Sequence, residues 1–567
     1  MVCVLLVSFS GCKNSSKVSS SKDEALPLNV EEQYVFDQYF YDGLRYKVTG
    51  NSQKAESAFK KCLILQADHA PTLYELGQLE LQKQNVSGAI SFLQKASDAE
   101  PQNKWYLHVL AKAYEYNQSF EMAAGVYEQL LEVEPDAIDY YFDYGNALVK
   151  IGKYKEAIEA YDRLEQKYGV VEDISLEKEK LYLKIDDADG AILELNKLIA
   201  ISPANTRYRI LLATIYKQEG NTELAEQTLL KLEEQSPEDA MVQMAMYEHY
   251  RDAENTEKAK FYLEKAFGNP KLDIDTKIEI LLQMYANLDQ HPGMKTQSLQ
   301  LLNLLQATHP NEAKTFAIYG DFMSRFNELS LAQEKYTKAV SLDSSKFAVW
   351  SQLLIIEAEL HQTDNLLKHS SEALRLFPSQ PMVYYMKGIA LMDKKMYDIA
   401  IEVLDLGRIM VVSNPPLEME FYASLGESYY RTEDYQNAWL SFERALKIDE
   451  NNALLLNNYA FYLSLQKQEL EKAKTMIEKC VRLRPDQPSY LDTYGWVLYQ
   501  MEEYEGAAIQ LQRAVDNGGG NSAEIREHLG DALYRSNLKE DAKKQWEEAH
   551  ALQPSTELQH KINQGLE

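Results

Sequence analysis

The sequence predicts an all-α solenoid of about 15 helix–turn–helix repeats, on three observations. Small residues recur every 34 positions, apolar residues recur between them at three- and four-residue spacing, and prolines close many of the periods. Ala55, Ala89, Ala123, Ala157, Ala191, Ala225 and Ala259 form an unbroken series at 34 residues. Ser298 follows after 39, Ala332, Leu366 and Ala400 at 34, Ala438 after 38, and Ala473, Ala507 and Ala542 after 35, 34 and 35.

Each element of the pattern has a physical reason. The alanines open the second helix of a pair and let it approach the first. Gly77, Gly145, Gly320, Gly388, Gly426, Gly495 and Gly530 occupy the matching place in the first helix. A mid-helix glycine costs about 1 kcal/mol relative to alanine, so close packing has to offset it. Pro101, Pro135, Pro203, Pro237, Pro310, Pro378 and Pro485 are placed to stop the second helix, since proline lacks the amide donor and clashes upstream. The apolar stripes leave no unit able to bury its own face, and stacking builds one continuous core. Cys62 and Cys480 share the small slot of Ala96 and Ala445 and read as buried thiols. Extra residues fall at Gly268–Asp273 and near Ser413–Pro416. Units five, seven and ten carry Glu179, Tyr247 and Leu354 where a small residue is usual, which predicts looser or bent packing there.

The second unit reads Leu73, Leu76, Gly77, Ala89, Leu93, Ala96, Pro101. The fourteenth reads Leu491, Tyr494, Gly495, Leu498, Ala507, Leu511, Ala514, and the fifteenth Leu529, Gly530, Leu533, Ala542, Trp546, Ala549, Pro554. This pattern resembles the tetratricopeptide repeat (TPR). The resemblance implies a right-handed superhelical solenoid whose first helices line a concave surface and contact a protein or peptide partner. The expected organisation is repeats 1–7 over residues 34–268, an irregular repeat over 269–310, repeats 9–11 over 311–412, and repeats 12–15 with a cap over 413–566.

The N-terminus reads as an address. Residues 1–11, MVCVLLVSFSG, are apolar and then small, and too few to span a membrane. Phe9-Ser10-Gly11-Cys12 resembles a bacterial lipobox, although no Lys or Arg precedes the apolar run. The resemblance implies a signal peptide, lipidation at Cys12 and anchoring in the cell envelope; Lys13 after the cysteine fits an outer-membrane lipoprotein facing the periplasm. Residues 12–33, rich in Ser and Lys, read as a flexible tether.

The net charge is −28, with 87 acidic against 59 basic residues, which disfavours a phosphate-binding surface and so a nucleic-acid partner. Tyrosine dominates the aromatics, 38 against 17 Phe and 5 Trp, and suits the half-buried positions of a thin array. Metalloprotease, phosphate-loop and nucleophile-elbow patterns are all missing from the sequence, and Asn517-Gly518-Gly519-Gly520-Asn521 reads as a loop. The reading is therefore a non-enzyme with no cofactor and no metal.

Candidate binding positions gather in units 12–15. Asn457, Asn458 and Tyr462, then Asp492, Trp496 and Tyr499, then Glu527, His528, Asp531 and Tyr534 fall on the first helices. Aromatic anchors beside acceptors suit a peptide groove; the same residues equally suit packing between adjacent first helices. His528 is expected to have acidic neighbours on its own helix. The Lys, Asn and Arg with which some TPR grooves hold a C-terminal carboxylate have no match, since Asn457, Phe461, Asp492 and Trp496 stand there. The resulting expectation is a membrane-anchored scaffold for protein partners. An accessory of a secretion or outer-membrane machine, a glycan or cell-wall binder, and a soluble cytoplasmic adaptor are the alternatives.

Overall fold

The structure, a computed structural model, describes residues 28–289 and 293–566. The predicted signal peptide, Cys12 and most of the tether lie outside these residues. The described chain folds into 31 α-helices, α1 (Val30–Val48) to α31 (Thr556–Gln564), with one short 3-10 turn at Gly519–Asn521 inside the glycine-rich loop. Helices pair in sequence order, so the all-α repeat architecture stands. The chain forms two compact units that divide between Leu263 and Glu264, in the second helix of the seventh repeat.

The tether ends earlier than residue 33. Asn29 and Glu32 form a reciprocal capping box, the Asn29 side chain accepting from the Glu32 amide at 2.9 Å and the Glu32 carboxylate accepting from the Asn29 amide at 3.0 Å. Two orphan amides are thereby satisfied and the first helix starts at Val30. The predicted prolines each fall two residues beyond a helix end. For example, α4 (Val86–Ala99) stops before Pro101, α12 (Thr222–Gln235) before Pro237 and α26 (Leu470–Leu483) before Pro485.

The pairing within a repeat rests on a small residue in the first helix and a bulky one sixteen positions later in the second. A Cβ added at Gly77 would lie 2.6 Å from Leu93 Cγ; at Gly320, 2.6 Å from Tyr336 Cε1; at Gly495, 2.4 Å from Leu511 Cγ; at Gly530, 2.4 Å from the indole nitrogen of Trp546. Gly43 and Phe59 make the same contact in the first repeat, and Ala111 stands opposite in register to Tyr127. The bulky partners Phe59, Leu93, Tyr127 and Tyr161 are fully buried. Cys62 and Cys480 are buried free thiols, their sulfurs near the carbonyls of Phe36 and Ala453, and burial pushes both up to about 11.

The turn inside each repeat is equally regular. Gly50, Gln84, Gln118, Gly152, Asp186, Gly220 and Glu254 recur at 34 residues with φ between 54° and 77°. Asn327, His361, Lys395, Glu433, Lys467, Glu502 and Asn537 continue the series in the second unit. Each left-handed residue closes the first helix, and the next amide reaches back five residues, as from Asn85 to Glu80 at 2.9 Å and from Met396 to Leu391 at 2.9 Å. Only three of these positions are glycine, so most carry a strain of roughly 1 kcal/mol that the surrounding pair holds in place.

Unit five keeps a fitted contact by other means. In unit five the small residue has moved to the second helix: a Cβ at Gly190 would lie 2.4 Å from Tyr182 Cδ1. Lys178, fully buried on α9 (Glu172–Lys184), is paired with Asp162, Glu165 and Glu194 at 2.6–2.7 Å. In unit ten the sizes are exchanged, with Leu354 and Ser370 both fully buried sixteen residues apart. The expectation of looser packing is corrected for unit five; in unit ten α19 (Phe347–Glu359) and α20 (Thr363–Leu376) approach each other less closely than the pairs on either side, as expected. In unit seven Tyr247 is half-buried, with Arg251 lying 5.5 Å from its ring centroid.

The insertion at 268–273 is pinned by Lys277 of α15 (Ile274–Asn287). Its fully buried ammonium donates to the carbonyls of Phe267 and Asn269 at 2.8 and 2.9 Å and to Thr308 Oγ1 at 2.9 Å, and His309 Nε2 lies 3.1 Å away. Burial pushes Lys277 from 10.5 down to about 8.

Two outcomes follow for stability. Gly320→Ala should destabilise the array by about 1–3 kcal/mol through overpacking against Tyr336. Gly125→Ala, on an exposed face of α6 (Phe120–Val133) with open space around it, should instead stabilise by about 0.5–1 kcal/mol. Hydrogen exchange in the two helices reads both. For Lys277, the unfolded chain holds the proton more tightly between about 8 and 10.5, so this group makes stability rise with pH across that window. Wild type should gain on Lys277→Met in denaturant titrations from pH 8 to 10; parallel curves would contradict the assignment.

Candidate partner-binding groove

Repeats 12–15 pair α23 (Pro415–Arg431) with α24 (Tyr435–Ile448), α25 (Ala453–Leu465) with α26, α27 (Pro488–Gln500) with α28 (Tyr504–Asp516), and α29 (Ala523–Arg535) with α30 (Lys539–Leu552). First helices of neighbouring repeats also touch directly, α25 with α27 and α27 with α29, so their faces form one layer. The repeat length dictates this layer: a 34-residue period returns each first helix to the same register, and its polar residues fall in one row.

The candidates separate into three groups. Asp492, Trp496, Tyr499 and His528 come together across α27 and α29. Trp496 stacks on His528 with ring centroids 4.0 Å apart and on Tyr499 at 4.9 Å, at interplanar angles of 23° and 8°. Asp492 lies 2.9 Å from His528 Nδ1. The hydrogen-bonded acid of His528 comes from the neighbouring first helix, because one repeat of separation brings the two rows side by side, while Glu524 and Asp531 are the acidic neighbours on its own helix. Burial is the strongest single influence and opposes a charge on His528, but the Asp492 bond together with the charges of Asp492, Glu524 and Asp531 holds the imidazole above the usual histidine range. Trp496 Nε1 is buried without a hydrogen-bond partner.

Asn457, Asn458 and Tyr462 lie on α25. Asn457 donates to Asn458 at 3.2 Å, and the other polar atom of the Asn457 amide, Oδ1, is buried and unpaired. Tyr462 stacks on Tyr430 of α23 at 4.1 Å, and burial together with the nearby Glu427 pushes its hydroxyl up to about 12. Asn458 and Tyr462 face a cavity shared with α21 (Pro381–Asp393) and α23.

Glu527, Asp531 and Tyr534 are covered from the C-terminal side by α31. Lys561 donates to Glu527 at 2.7 Å and to Asp531 at 2.8 Å, and Asp531 also accepts from the Trp546 indole at 2.9 Å. Tyr534 packs 5.5 Å from Trp546 and against Gly565. These three residues serve the end cap. Register could not show this, since Lys561 lies past the last repeat. Glu420 and Glu427, which share the α25 cavity, went unnoticed in so acidic a chain.

Among the described residues one group of three carboxylates is close enough for a metal ion, Asp162, Glu165 and Glu194. The Lys178 ammonium sits among them, and Lys197 pairs with two of the three at 2.9 Å. Two ammonium groups of the chain thus already occupy the space among the three carboxylates.

Comparison with known proteins agrees with the repeat. Three family models, each described as a tetratricopeptide repeat, match residues 108–169 and 493–555, residues 183–246, and residues 420–452 and 454–487. Similar proteins include human protein O-mannosyl-transferase TMTC3, 24% identical over 224 residues, which are 39% of this chain and 24% of the relative. Anaphase-promoting complex subunit 3 of Schizosaccharomyces pombe is 23% identical over 39% of this chain and 28% of its own length. TPR repeat-containing protein PA4667 of Pseudomonas aeruginosa is 24% identical over 37% and 36%. The chain thus matches roughly a quarter to a third of these relatives. Among solved structures, yeast Tom70 is 16% identical over 88% of this chain and 94% of its own, with a TM-score of 0.31. Naa15/Naa10 bound to HypK-THB is 13% identical over 94% and 96%, with a TM-score of 0.35.

The His528 arrangement gives a direct titration. Its folded pKa is raised, so the Asp492 contact contributes fully below the ordinary histidine value and is lost as pH rises through the folded one. Imidazole NMR should place the midpoint above the usual histidine range in wild type. In Asp492→Asn the midpoint should fall, with only the charges of Glu524 and Asp531 left to oppose burial.

Proposed function

We propose that this chain, a tetratricopeptide-repeat protein, is a non-enzymatic scaffold that binds protein partners along the first-helix layer and is held to a bacterial envelope membrane by a lipid on Cys12. The observation that carries the binding half is the layer itself. Equivalent positions return every 34 residues, and the second residue of the first helix puts Trp105, Met241 and Leu454 in solvent at 64%, 60% and 63% exposure. At these three repeats the layer offers a large side chain as an anchor for a partner. Side chains that could do chemistry are tied up in packing: His528 by Asp492 and Trp496, Asp531 by Lys561 and Trp546. The glycan alternative finds little support, because Trp496 already stacks on two rings of its own chain.

The anchoring half rests on the Phe9-Ser10-Gly11-Cys12 segment and the Ser- and Lys-rich residues that follow it. No helix among the described residues is long and apolar enough to cross a membrane. Anchoring through one or two acyl chains needs none. Periplasmic exposure and service to a secretion or outer-membrane machine are finer readings of the same scaffold.

A photo-crosslinking residue at Trp105 or Met241 should join discrete proteins in the producing cell. The same residue at Leu193, exposed on the second helix α10 (Ala188–Ile201), should not. Equal crosslinking from both faces would overturn the groove. Incorporation of a clickable fatty acid should be lost in Cys12→Ala; no incorporation in wild type would remove the anchor and favour a soluble adaptor.

A further inference from the structure

The cavity beside α25 combines three features that single it out. It is about 190 Å³, smaller than the roughly 300–1,000 Å³ typical of small-molecule sites, and so sized for one side chain. It lies among three successive first helices, α21, α23 and α25. Its apolar wall includes Ile389, Met392, Met419 and Leu455, while Glu420, Glu427 and Asn458 supply acceptors, and no Lys or Arg lines it.

The two carboxylates are only lightly committed. Glu420 accepts from the Tyr385 hydroxyl at 3.3 Å. Glu427 pairs with Arg431, one turn along its own helix, at 3.6 Å, a long contact on an exposed arginine. Most other acidic groups described above are held closer, as Asp492 and Asp531 are. The same Arg431 lies 6.0 Å from the Tyr462 ring centroid, so a guanidinium is already accommodated at the edge of the cavity.

Resting on the scaffold reading, we propose that this cavity is a specificity pocket for a lysine or arginine side chain presented by an extended partner segment. The aliphatic stem of such a residue packs along the methionine and leucine wall while its cation meets Glu420 and Glu427, the division of labour that long basic side chains make elsewhere. An acidic side chain would meet two carboxylates at close range and is excluded. A purely apolar one fills the wall but leaves both carboxylates unpaired. The overall charge of −28 acts in the same direction, drawing basic segments toward the chain.

The test uses the full chain labelled at its methionine methyls, with Met392 and Met419 as reporters. Acetylated, amidated peptides Ala-Ala-X-Ala-Ala are added, with X arginine, lysine, norleucine or glutamate. Arginine and lysine peptides should shift both methyls with at least fivefold tighter apparent Kd than norleucine, and glutamate should not bind. In the Glu420→Gln, Glu427→Gln double variant the advantage should vanish while the norleucine response stays. Equal or tighter norleucine binding overturns the cation preference and leaves a scaffold with an apolar pocket. No response to any peptide overturns the pocket; crosslinking from Trp105 then still decides the scaffold independently.

Discussion

The close approach of two helices, a small residue on one beneath a bulky side chain sixteen positions later on the other, is the constraint on which the array depends. Gly320 under Tyr336 and Gly530 under Trp546 leave no room for a single added carbon. That contact fixes the spacing within a repeat. The left-handed turn at 34-residue intervals fixes its reversal, and the prolines fix its end. With all three set locally, each repeat needs only its neighbours, and polar residues of successive first helices return in one row.

The exceptions show what the constraint requires. Unit five carries a glutamate where a small residue is usual, and closes instead through Gly190 beneath Tyr182, with Lys178 gathered by three carboxylates. Unit ten, with Leu354 and Ser370 buried at these places, holds its two helices less closely. Unit five keeps complementary volume with the small residue on the other helix. A polar solution needs its buried cation partnered, and Lys178 has three carboxylates, although Glu194 Oε2 stays buried without a hydrogen bond.

Much of this was legible in the sequence. The 34-residue period, the glycine positions, the helix-ending prolines and the buried Cys62 and Cys480 all follow from residue types at fixed spacing. The turns did not show, because residues such as Gln84, His361 and Lys395 adopt the left-handed conformation with no glycine to mark it. The candidate site was half legible. Register placed Asp492, Trp496 and His528 on adjoining first helices, but their pairing depends on how neighbouring repeats stack, which no single repeat encodes. Glu527, Asp531 and Tyr534 looked like groove residues until Lys561 and α31 covered them. The carboxylates of the α25 cavity were hidden among 87 acidic residues, and only their light commitment distinguishes them.

On the proposed scaffold reading, a partner meets the layer of first helices and the second helices support it. Hydrogen exchange across the whole chain, with and without the protein crosslinked through Trp105, tests that division most directly. The account predicts new protection in first helices of the same compact unit, such as α3 (Ala70–Gln82), α5 (Lys104–Tyr116) and α7 (Ile138–Lys150), with α4, α6 and α8 (Tyr154–Tyr168) unchanged. Protection concentrated in the second helices would contradict it.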